Sequence, residues 1–466
     1  MSILVAIAHY GTKNRSFLER VLDEYASMSL NVDVDVVILT EAAKTFAHDV
    51  EVIVGLPIAD PWSLPFGHRQ LFAERRDSYD LFIYSEDDIL VTEENVLAYV
   101  EQAAKLPADR LAGFVRFEIG ADGKRFFPDS HSGYHWRPSS IEHVGGEVYA
   151  SYSNEHAACY ILTREQLDGC IASDGYLVAP HAGRYDMLVS AATDPYVTCG
   201  KRKVIPLERI EEFLVHHLPN NYIGRLGSFE EEFEAELAAI TRAVESTRLE
   251  ELFAPEKALD TEMWDKSFHE SLPPRLRHVD WREGSTVLSV GVGDGEAERG
   301  FVERGVTVYG IPMNTIVGEL AAEKGIIILP ANLDEALAHL EDVRLDAAMM
   351  VDVLPHLRDP VRALSSVRAI LRPGGQVFAT SRNALFERLG SRLGRRSSPP
   401  GRNDFSQTLI WPADGRRLRH WFSEAQLRPQ LTCYWSSGRD TRLPSMMERH
   451  LDAVISDRVM VQAVNS

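Results

Sequence analysis

The segment Leu81–Thr92, with the sequence LFIYSEDDILVT, constrains the fold of this chain strongly. Four apolar, β-favouring residues lead into three consecutive acids, Glu86, Asp87 and Asp88. A strand that ends in carboxylates places them at the carboxyl edge of a sheet, where α/β folds bind ligands. Because neighbouring carboxylates repel one another and offer only oxygen ligands, the pattern indicates Mg²⁺ or Mn²⁺. The alternative is an ordinary strand-to-helix turn, where acids are also common.

The residues before this segment predict an α/β sheet. Apolar runs at Ile3–Ala8, Val34–Leu39 and Val50–Val54 have the character of buried parallel strands, and helical spacing separates them. Right-handed crossovers would bring the carboxyl ends of these strands to one edge. The other side chains expected at that edge are Tyr10, Thr12 and Glu41. Each of them is also an ordinary loop residue, so both interpretations stay open.

The order of helix, strand and acids in FGHRQLFAERRDSYDLFIYSEDD resembles the core of GT-A glycosyltransferases. The acid triplet followed by an apolar residue also resembles exostosin-like glycosyltransferases. The resemblance implies that Asp88 binds a metal ion on the diphosphate of a nucleotide sugar. It places Glu86 and Asp87 toward the sugar or ribose, and it makes Arg69, in the preceding helix, a donor-binding residue.

Two later segments follow the same family order. The stretch GRYDMLVS at 183–190 places Asp186 at the catalytic or acceptor-binding acid of the family, although a single Asp is also an ordinary helix cap or ion-pair partner. The family further implies a late histidine as a metal ligand. His216 and His217 are adjacent, so their side chains point in different directions on a strand and at most one can serve. The ligand that we predict is His217.

The second half contains a strand, a glycine-rich turn and a helix in TVLSVGVGDGE at 286–296. Gly291, Gly293 and Gly295 would allow backbone to approach a ligand, and a helix amino terminus favours negative charge. Alternating strands and helices follow, and then VDVLPHLRDPVRALSSVRAILRPGGQVFAT. This order resembles class I S-adenosylmethionine-dependent methyltransferases over about 275–436. The resemblance implies S-adenosylmethionine as a cofactor and adds Asn332 and Asp352 to its binding residues.

Three positions depart from the methyltransferase pattern. The acid expected in the first strand is Ser289, the acid expected at the end of the second strand is replaced by Pro312, and the acid after the third strand is Asn332. Asn can bind an adenine amino group, whereas proline offers no side-chain acceptor for ribose. Each lost charged hydrogen bond would cost about 1.5–3 kcal/mol. We therefore expect weak S-adenosylmethionine binding unless Asn314 or Glu319 has taken over the ribose.

A chain of 466 residues is too long for one core. The predicted fold class is α/β, with a GT-A-like mixed sheet and a class I methyltransferase-like sheet, two Rossmann-like domains joined by a helical linker. The predicted divisions are 1–225 for the first domain, 226–275 for the linker, 276–436 for the second domain and 437–466 for a C-terminal tail. The linker contains an amphipathic helix that starts at Ser228, and this helix is expected to pack one domain against the next or against a second subunit of a homo-oligomer.

Composition restricts the partners and the location. A formal net charge of −20 argues against nucleic acid as a partner of the bulk surface. The four cysteines have neither metal-ligand spacing nor the pattern of a disulfide framework, which favours a reducing cytoplasm. No apolar run approaches the length of an integral membrane segment. A lipid-linked acceptor would therefore be met peripherally at the membrane.

These patterns together predict a metal-dependent glycosyltransferase that moves a sugar from a nucleotide sugar to a glycan or lipid-linked acceptor. The metal would assist departure of the nucleoside diphosphate, and Asp186 would position or deprotonate the acceptor hydroxyl. The second domain would methylate the product, a pairing that suggests polysaccharide or glycolipid synthesis. Two alternatives stay open: a sole active glycosyltransferase that carries a degenerate methyltransferase-like scaffold or dimerisation module, and a natural-product tailoring enzyme.

Overall fold

The computed structural model describes residues 1–28, 33–131, 133–225, 227–246, 249–253, 266–268, 272–277, 279–386, 405–436 and 456–465. The chain divides into two compact units, Met1–Leu237 and Ala238–Ser466. The division falls inside the region predicted as a helical linker, and independent folding of the two halves stays a prediction. No helix in the described ranges has the length and apolar character needed to cross a membrane.

The strands of the first unit form three sheets among the described residues. They are β1 (Ser2–Ala8), β2 (Asp33–Thr40), β3 (Glu51–Val54), β4 (Leu81–Glu86), β5 (Ile89–Leu90), β6 (Arg110–Ala112), β7 (Val115–Ile119), β8 (Arg125–Phe127), β9 (Glu142–Val144), β10 (Glu147–Ala150), β11 (Cys159–Thr163), β12 (Arg202–Pro206), β13 (Leu214–His217) and β14 (Ser228–Phe229). The strand orders are β11-β4-β1-β2-β3, β6-β12-β10-β9 and β14-β8-β7-β13-β5.

The first of these sheets confirms the α/β pattern that the apolar runs predict. Strands β4, β1, β2 and β3 are parallel, and β11 joins antiparallel to β4. Alternate side chains of β1 enter two different cores, with Ile3, Val5 and Ile7 in one and Leu4 and Ala6 in the other. Because both faces of the strand are buried, its sequence is continuously apolar rather than alternating. A GT-A domain is not established by this sheet.

The helices that accompany the first unit are α1 (Arg15–Ser27), α2 (Gly67–Arg75), α3 (Glu93–Ala103), α4 (Arg164–Ala172), α5 (Met187–Val197) and α6 (Glu230–Glu245), the last of which crosses the division. Between α3 and β11, the apolar stretch 111–117 forms two strands rather than one. β6 ends at Ala112 and pairs with β12, whereas β7 begins at Val115 and pairs with β13. At the break, a Cβ on Gly113 would lie 2.3 Å from Cγ of Lys203, so only glycine leaves room for that buried side chain.

The second unit is built on one seven-stranded sheet among its described residues. Its strands are β15 (Thr286–Val292), β16 (Thr307–Pro312), β17 (Ile327–Ile328), β18 (Leu345–Met350), β19 (Leu371–Arg382), β20 (Leu427–Trp435) and β21 (Arg458–Asn465). The helices are α7 (Pro274–Arg277), α8 (Glu296–Val302), α9 (Thr315–Glu323), α10 (Leu333–Ala338), α11 (Pro360–Ile370), α12 (Phe405–Thr408) and α13 (Gly415–Glu424). The order β17-β16-β15-β18-β19-β21-β20 is parallel through β19 and antiparallel at β21 and β20.

The last strand corrects the predicted C-terminal tail. Residues 437–455 of that tail lie outside the described residues, but Arg458–Asn465 forms β21 and pairs with both β19 and β20. Val459, Val461 and Ala463 are fully buried in the core of the second unit. The domain therefore does not end at 436. Its sheet is completed by β21, which lies between β19 and the edge strand β20.

Candidate functional site

The carboxyl edge of the seven-stranded sheet, formed by the ends of β15, β16 and β18, carries the predicted glycine turn. Gly291 and Gly295 have φ values of 78° and 82°, a left-handed conformation that other residues adopt only at a cost. A Cβ on Gly295 would lie 2.7 Å from Cδ1 of Ile326 and 2.9 Å from Cα of Ala321. The glycines thus serve a tight turn and close packing of α8, in addition to any approach of a ligand.

Residues 266–268 lie directly against this turn. The carbonyl oxygen of Phe268 accepts a hydrogen bond of 2.9 Å from the backbone N–H of Asp294. A Cβ on Gly293 would come within 2.1 Å of that same oxygen. Lys266 is 1% exposed, and its Cε lies 3.7 Å from the place that a Cβ on Gly291 would take. The close approach that the glycines permit is therefore made by the chain's own backbone.

The end of β16 is also covered by the chain. Pro312 ends the strand and is buried. The carbonyl oxygen of Met313 accepts from the backbone N–H of Leu252, and Glu250 and Thr315 exchange hydrogen bonds, including Thr315 N–H to the Glu250 carbonyl at 3.0 Å. These bonds bring residues 250–252 alongside the position where the sequence lacks the ribose-binding acid.

The two residues suggested as replacements for that acid have different environments. Oδ1 of Asn314 caps α9 by accepting from the N–H of Val317, and its Nδ2 is buried without a hydrogen-bond partner in the described part of the chain. Glu319 forms an ion pair with Arg242, 3.4 Å from Nε to Oε2. Asn314 is consequently the better placed of the two at the carboxyl edge, although it offers a donor there and not an acceptor.

The missing acid of β15 has a counterpart that the sequence did not reveal. Oγ of Ser289 donates to Oε1 of Glu298 at 2.7 Å, and both side chains are buried. Burial raises the pKa of the Glu298 carboxyl above its ordinary value. A carboxyl from α8 therefore lies beside the strand position at which the methyltransferase resemblance predicts an acid. The spacing Ser289 to Glu298, across a turn, gives no periodic signal by which it could have been found.

The remaining predicted cofactor residues are engaged within the fold. Asp352, with φ 54°, accepts from Thr380 Oγ1 at 2.8 Å and lies 2.9 Å from Nη1 of Arg458. Asn332 caps α10, its side-chain oxygen accepting from two backbone N–H groups. Their predicted roles toward a cofactor stay predictions. His356, retained from the family pattern, is buried with its ring stacked on Phe253 at 5.4 Å between centroids.

In the first unit, the acid triplet is compensated by protein groups. Nδ1 of His9 lies 2.6 Å from Oδ2 of Asp87, and Nδ2 of Asn14 donates to both Asp87 and Asp88. Nε2 of His217 lies 3.6 Å from Oδ2 of Asp88. The structure thus brings the two predicted metal ligands together. Across the described ranges, however, no group of three or more His, Cys, Asp or Glu side chains is arranged to hold a metal ion.

This arrangement does not support the prediction of a Mn²⁺ or Mg²⁺ cofactor. The prediction assumed that three adjacent carboxylates need a cation, but hydrogen bonds from histidine and asparagine reduce that need. Nδ1 of His217 is in addition held by Oε1 of Glu118 at 2.6 Å. His217 is therefore hydrogen-bonded to Glu118, whereas Asp87 and Asp88 are hydrogen-bonded to Asn14 and Asp87 also to His9.

The donor-binding residues predicted around the triplet have mainly structural contacts. Arg69 is 2% exposed and forms an ion pair with Asp194, 2.7 Å from Nη2 to Oδ2, and its predicted role in binding a donor substrate stays a prediction. Glu41 accepts from the N–H of Gly11 at 3.1 Å and so holds the turn after β1. Thr12 lies in that turn, where its carbonyl accepts from the N–H of Arg15, and Tyr10 is 54% exposed.

Asp186 is a helix cap, the simpler of the two roles that the sequence suggested for it. It precedes α5, and Oδ1 accepts from the backbone N–H of Val189 at 2.9 Å, as an N-cap does. Its charge still reaches the triplet: burial, then the charges of Asp88, Asp87 and Asp186, raise the pKa of Glu86 to about 8. Glu86, Asp87, Asp88 and Asp186 therefore lie close enough to interact electrostatically, but their geometry does not show that any of them takes part in a reaction.

Glu86 should make stability depend on pH. Its pKa rises from about 4.5 to about 8 on folding, so the folded state holds the proton more tightly, and this contribution is lost as pH rises through 8. Glu86→Gln should remove this contribution to the slope of stability against pH. Between about pH 5 and 8, the free energy of unfolding of the variant should rise relative to that of the wild type by up to about 1.4 kcal/mol per pH unit. Urea unfolding at several pH values measures this difference. Parallel curves would contradict the raised pKa.

Comparison with known proteins identifies the second unit. A family described as a methyltransferase domain matches residues 263–432. The ubiquinone biosynthesis O-methyltransferase of Alkalilimnicola ehrlichii is 30% identical over 183 residues, which cover 35% of this chain and 72% of that protein. The protein of the same name from Pseudomonas fluorescens is 30% identical over 189 residues, 37% of this chain and 80% of that protein. A methyltransferase structure from Mesorhizobium loti covers 41% of this chain and 96% of its own at 18% identity, with a TM-score of 0.33.

The chain belongs to the class I S-adenosylmethionine-dependent methyltransferases. It is an enzyme of the methyltransferase class, and the parallel sheet with its glycine turn is the Rossmann-like fold that the sequence resemblance predicted. The predicted class I methyltransferase-like sheet is therefore confirmed for the second unit.

The same comparisons show that the predicted function is wrong. The similarity is to methyltransferases, so metal-dependent glycosyl transfer is not the activity that the chain's relatives support. The same holds for the alternative of a sole active glycosyltransferase with a degenerate second half, since the second half is the part that is recognised. Three acids after a strand are a short pattern that occurs for more than one reason. In this protein His9 and Asn14 form hydrogen bonds with the triplet, so no nucleotide sugar is needed to explain the acids.

The residues at the carboxyl edge do not fit S-adenosylmethionine in the arrangement that the structure describes. Backbone of residue 268 fills the approach to the glycine turn, and residues 250–252 pair along the end of β16. The strand end itself offers Pro312 in place of a carboxylate. A cofactor at this edge would have to replace contacts that the chain makes with itself.

Proposed function

We propose that this protein transfers the methyl group of S-adenosylmethionine to a hydroxyl oxygen of its acceptor. The observation that carries the proposal is the 30% identity to ubiquinone biosynthesis O-methyltransferases over 72% and 80% of their lengths. Similarity over most of a relative's length supports a shared reaction more strongly than a shared fold alone. The glycine turn and the segment that contains Asp352 and His356 lie in the matched region.

The chemistry of the acceptor follows from the kind of relative. In O-methylation a hydroxyl oxygen forms the new bond to carbon, the sulfonium–carbon bond breaks, and the hydroxyl proton leaves to a base or to water. The relatives' name places them in ubiquinone biosynthesis. Hydroxyl groups, aromatic and aliphatic, are accordingly the first acceptor class to test, and amines and thiols are the matched comparison.

The experiment uses the full chain with methyl-labelled S-adenosylmethionine and panels of phenols, catechols, aliphatic alcohols, amines and thiols. The expected result is label in a hydroxyl-bearing acceptor, with S-adenosylhomocysteine formed in equal amount. Transfer confined to amines or thiols would overturn the oxygen assignment. Absence of transfer to every acceptor, by a protein shown to bind the cofactor, would overturn the proposed function.

A further inference from the structure

We propose that residues 250–253 and 266–268 compete with S-adenosylmethionine for the carboxyl edge, so that the cofactor binds only when they leave it. The inference rests on the proposed function for the identity of the ligand. It goes beyond that function because it assigns these residues an inhibitory role. In α/β sheets of this kind, the ligand lies outside the carboxyl ends of the strands, against the glycine turn.

The first contact is a short pairing at the end of β16. The N–H of Leu252 donates to the carbonyl of Met313 at 2.8 Å, and the N–H of Thr315 donates to the carbonyl of Glu250 at 3.0 Å. Oγ1 of Thr315 accepts from the N–H of Glu250 at 2.8 Å and lies 3.2 Å from the Glu250 carbonyl. Residues 250–252 therefore occupy backbone positions along the edge that would otherwise face a ribose.

The second contact is made by a side chain that spans two strand ends. The ring of Phe253 stacks on His356, after β18, with 18° between the ring planes. The same ring packs against an apolar cluster of Met313 and Val317, which follow β16, and Phe268, which precedes β15. A flat ring held between these two loops occupies a place suited to a flat base. Displacing it would expose apolar surface unless another ring took its position.

The third contact covers the glycine turn. The carbonyl oxygen of Phe268 accepts a hydrogen bond of 2.9 Å from the backbone N–H of Asp294, so residue 268 lies directly on the turn. The side chain of Lys266 is buried beside the same turn, near Gly291. The three contacts together cover the turn, the end of β16 and the loop after β18.

A ligand that binds only the open state has its affinity reduced by the fraction of molecules that are open. Phe253→Ala removes the ring but none of the residues of the sheet edge. Thr315→Val removes the two hydrogen bonds of the hydroxyl and keeps the size and β-branching of the side chain. Tyr434→Ala is the control, because Tyr434 is a half-buried aromatic residue on β20, at the opposite edge of the same sheet.

The test is titration calorimetry of the full-length protein and of each variant with S-adenosylmethionine and, separately, S-adenosylhomocysteine. We expect Phe253→Ala to bind at least about tenfold more tightly than the wild type, with a smaller gain for Thr315→Val and no change for Tyr434→Ala. Thr315→Val keeps the test decisive if the phenylalanine variant does not fold.

Equal affinity of the wild type and both edge variants, or weaker binding by the variants, would overturn the proposal, because the residues would then support the cofactor and not compete with it. Failure of every variant to bind would also overturn it, since something other than these contacts would close the edge. Neither result depends on methyl transfer. Failure of the proposed function would instead appear as tight binding without transfer to any acceptor.

Discussion

Asp194→Asn is expected to lower the free energy of unfolding by about 3–5 kcal/mol, because it leaves the Arg69 guanidinium charged and buried without its carboxylate. Both side chains are at most 2% exposed, so water cannot replace the lost partner. The carbonyls of Tyr176, Ser190 and Ala191 would still accept hydrogen bonds from Arg69, but they carry no compensating charge. Equilibrium unfolding in urea, followed by circular dichroism, measures the change.

Glu51→Gln provides the matched control for that experiment. The Arg75–Glu51 pair is as short, 2.6 Å from Nη2 to Oε1, but its side chains are 32% and 46% exposed. Solvent screening limits such pairs to about 0–1 kcal/mol. If the two variants lost similar amounts of stability, burial would not be what makes the Arg69–Asp194 pair important. A loss below about 1 kcal/mol in Asp194→Asn would contradict the structural role of Arg69.

Gly295→Ala is expected to destabilise the second unit by about 2–5 kcal/mol. The left-handed conformation at φ 82° costs a residue with a Cβ about 1–2 kcal/mol, and the new methyl would lie 2.7 Å from Ile326 and 2.9 Å from the Cα of Ala321. Overpacking against the backbone of α9 adds about 1–3 kcal/mol. The measurement is again urea unfolding, with the same protein concentration and buffer as the wild type.

The control substitution is Gly300→Ala, in the middle of α8. There the added Cβ meets only the end of Arg304, at 4.0 Å, and no left-handed conformation is required. Alanine is a better helix former than glycine, so we expect this variant to gain about 0.5–1 kcal/mol. Opposite signs for the same chemical change, five residues apart, would locate the requirement for glycine at the turn. A neutral Gly295→Ala would show that the turn relaxes and that α9 moves aside.

The sequence by itself determined the elements whose cause is local. The apolar runs placed β1 and β4 because strands buried on both faces must be apolar throughout, and they also located β2 and β3, which are more exposed. The glycine turn and its helix located the methyltransferase sheet, since left-handed positions and close approach both require glycine. The lack of a carboxylate at the end of β16 was also readable, because Pro312 aligns with a position that a family pattern defines.

The tertiary structure alone decided what those residues touch. The sequence suggested that Arg69 binds a donor substrate because it does not show that Arg69 pairs with Asp194. That partner lies far along the chain, in α5. The acid triplet suggested a metal because the sequence does not show His9 and Asn14 folding back onto it. Likewise, no periodic pattern of apolar residues predicts that residues 250–253 lie against the end of β16. Local conformation depends on neighbouring residues. The partner of a buried charge, and the segment that covers a sheet edge, depend instead on which distant parts of the chain the fold brings together.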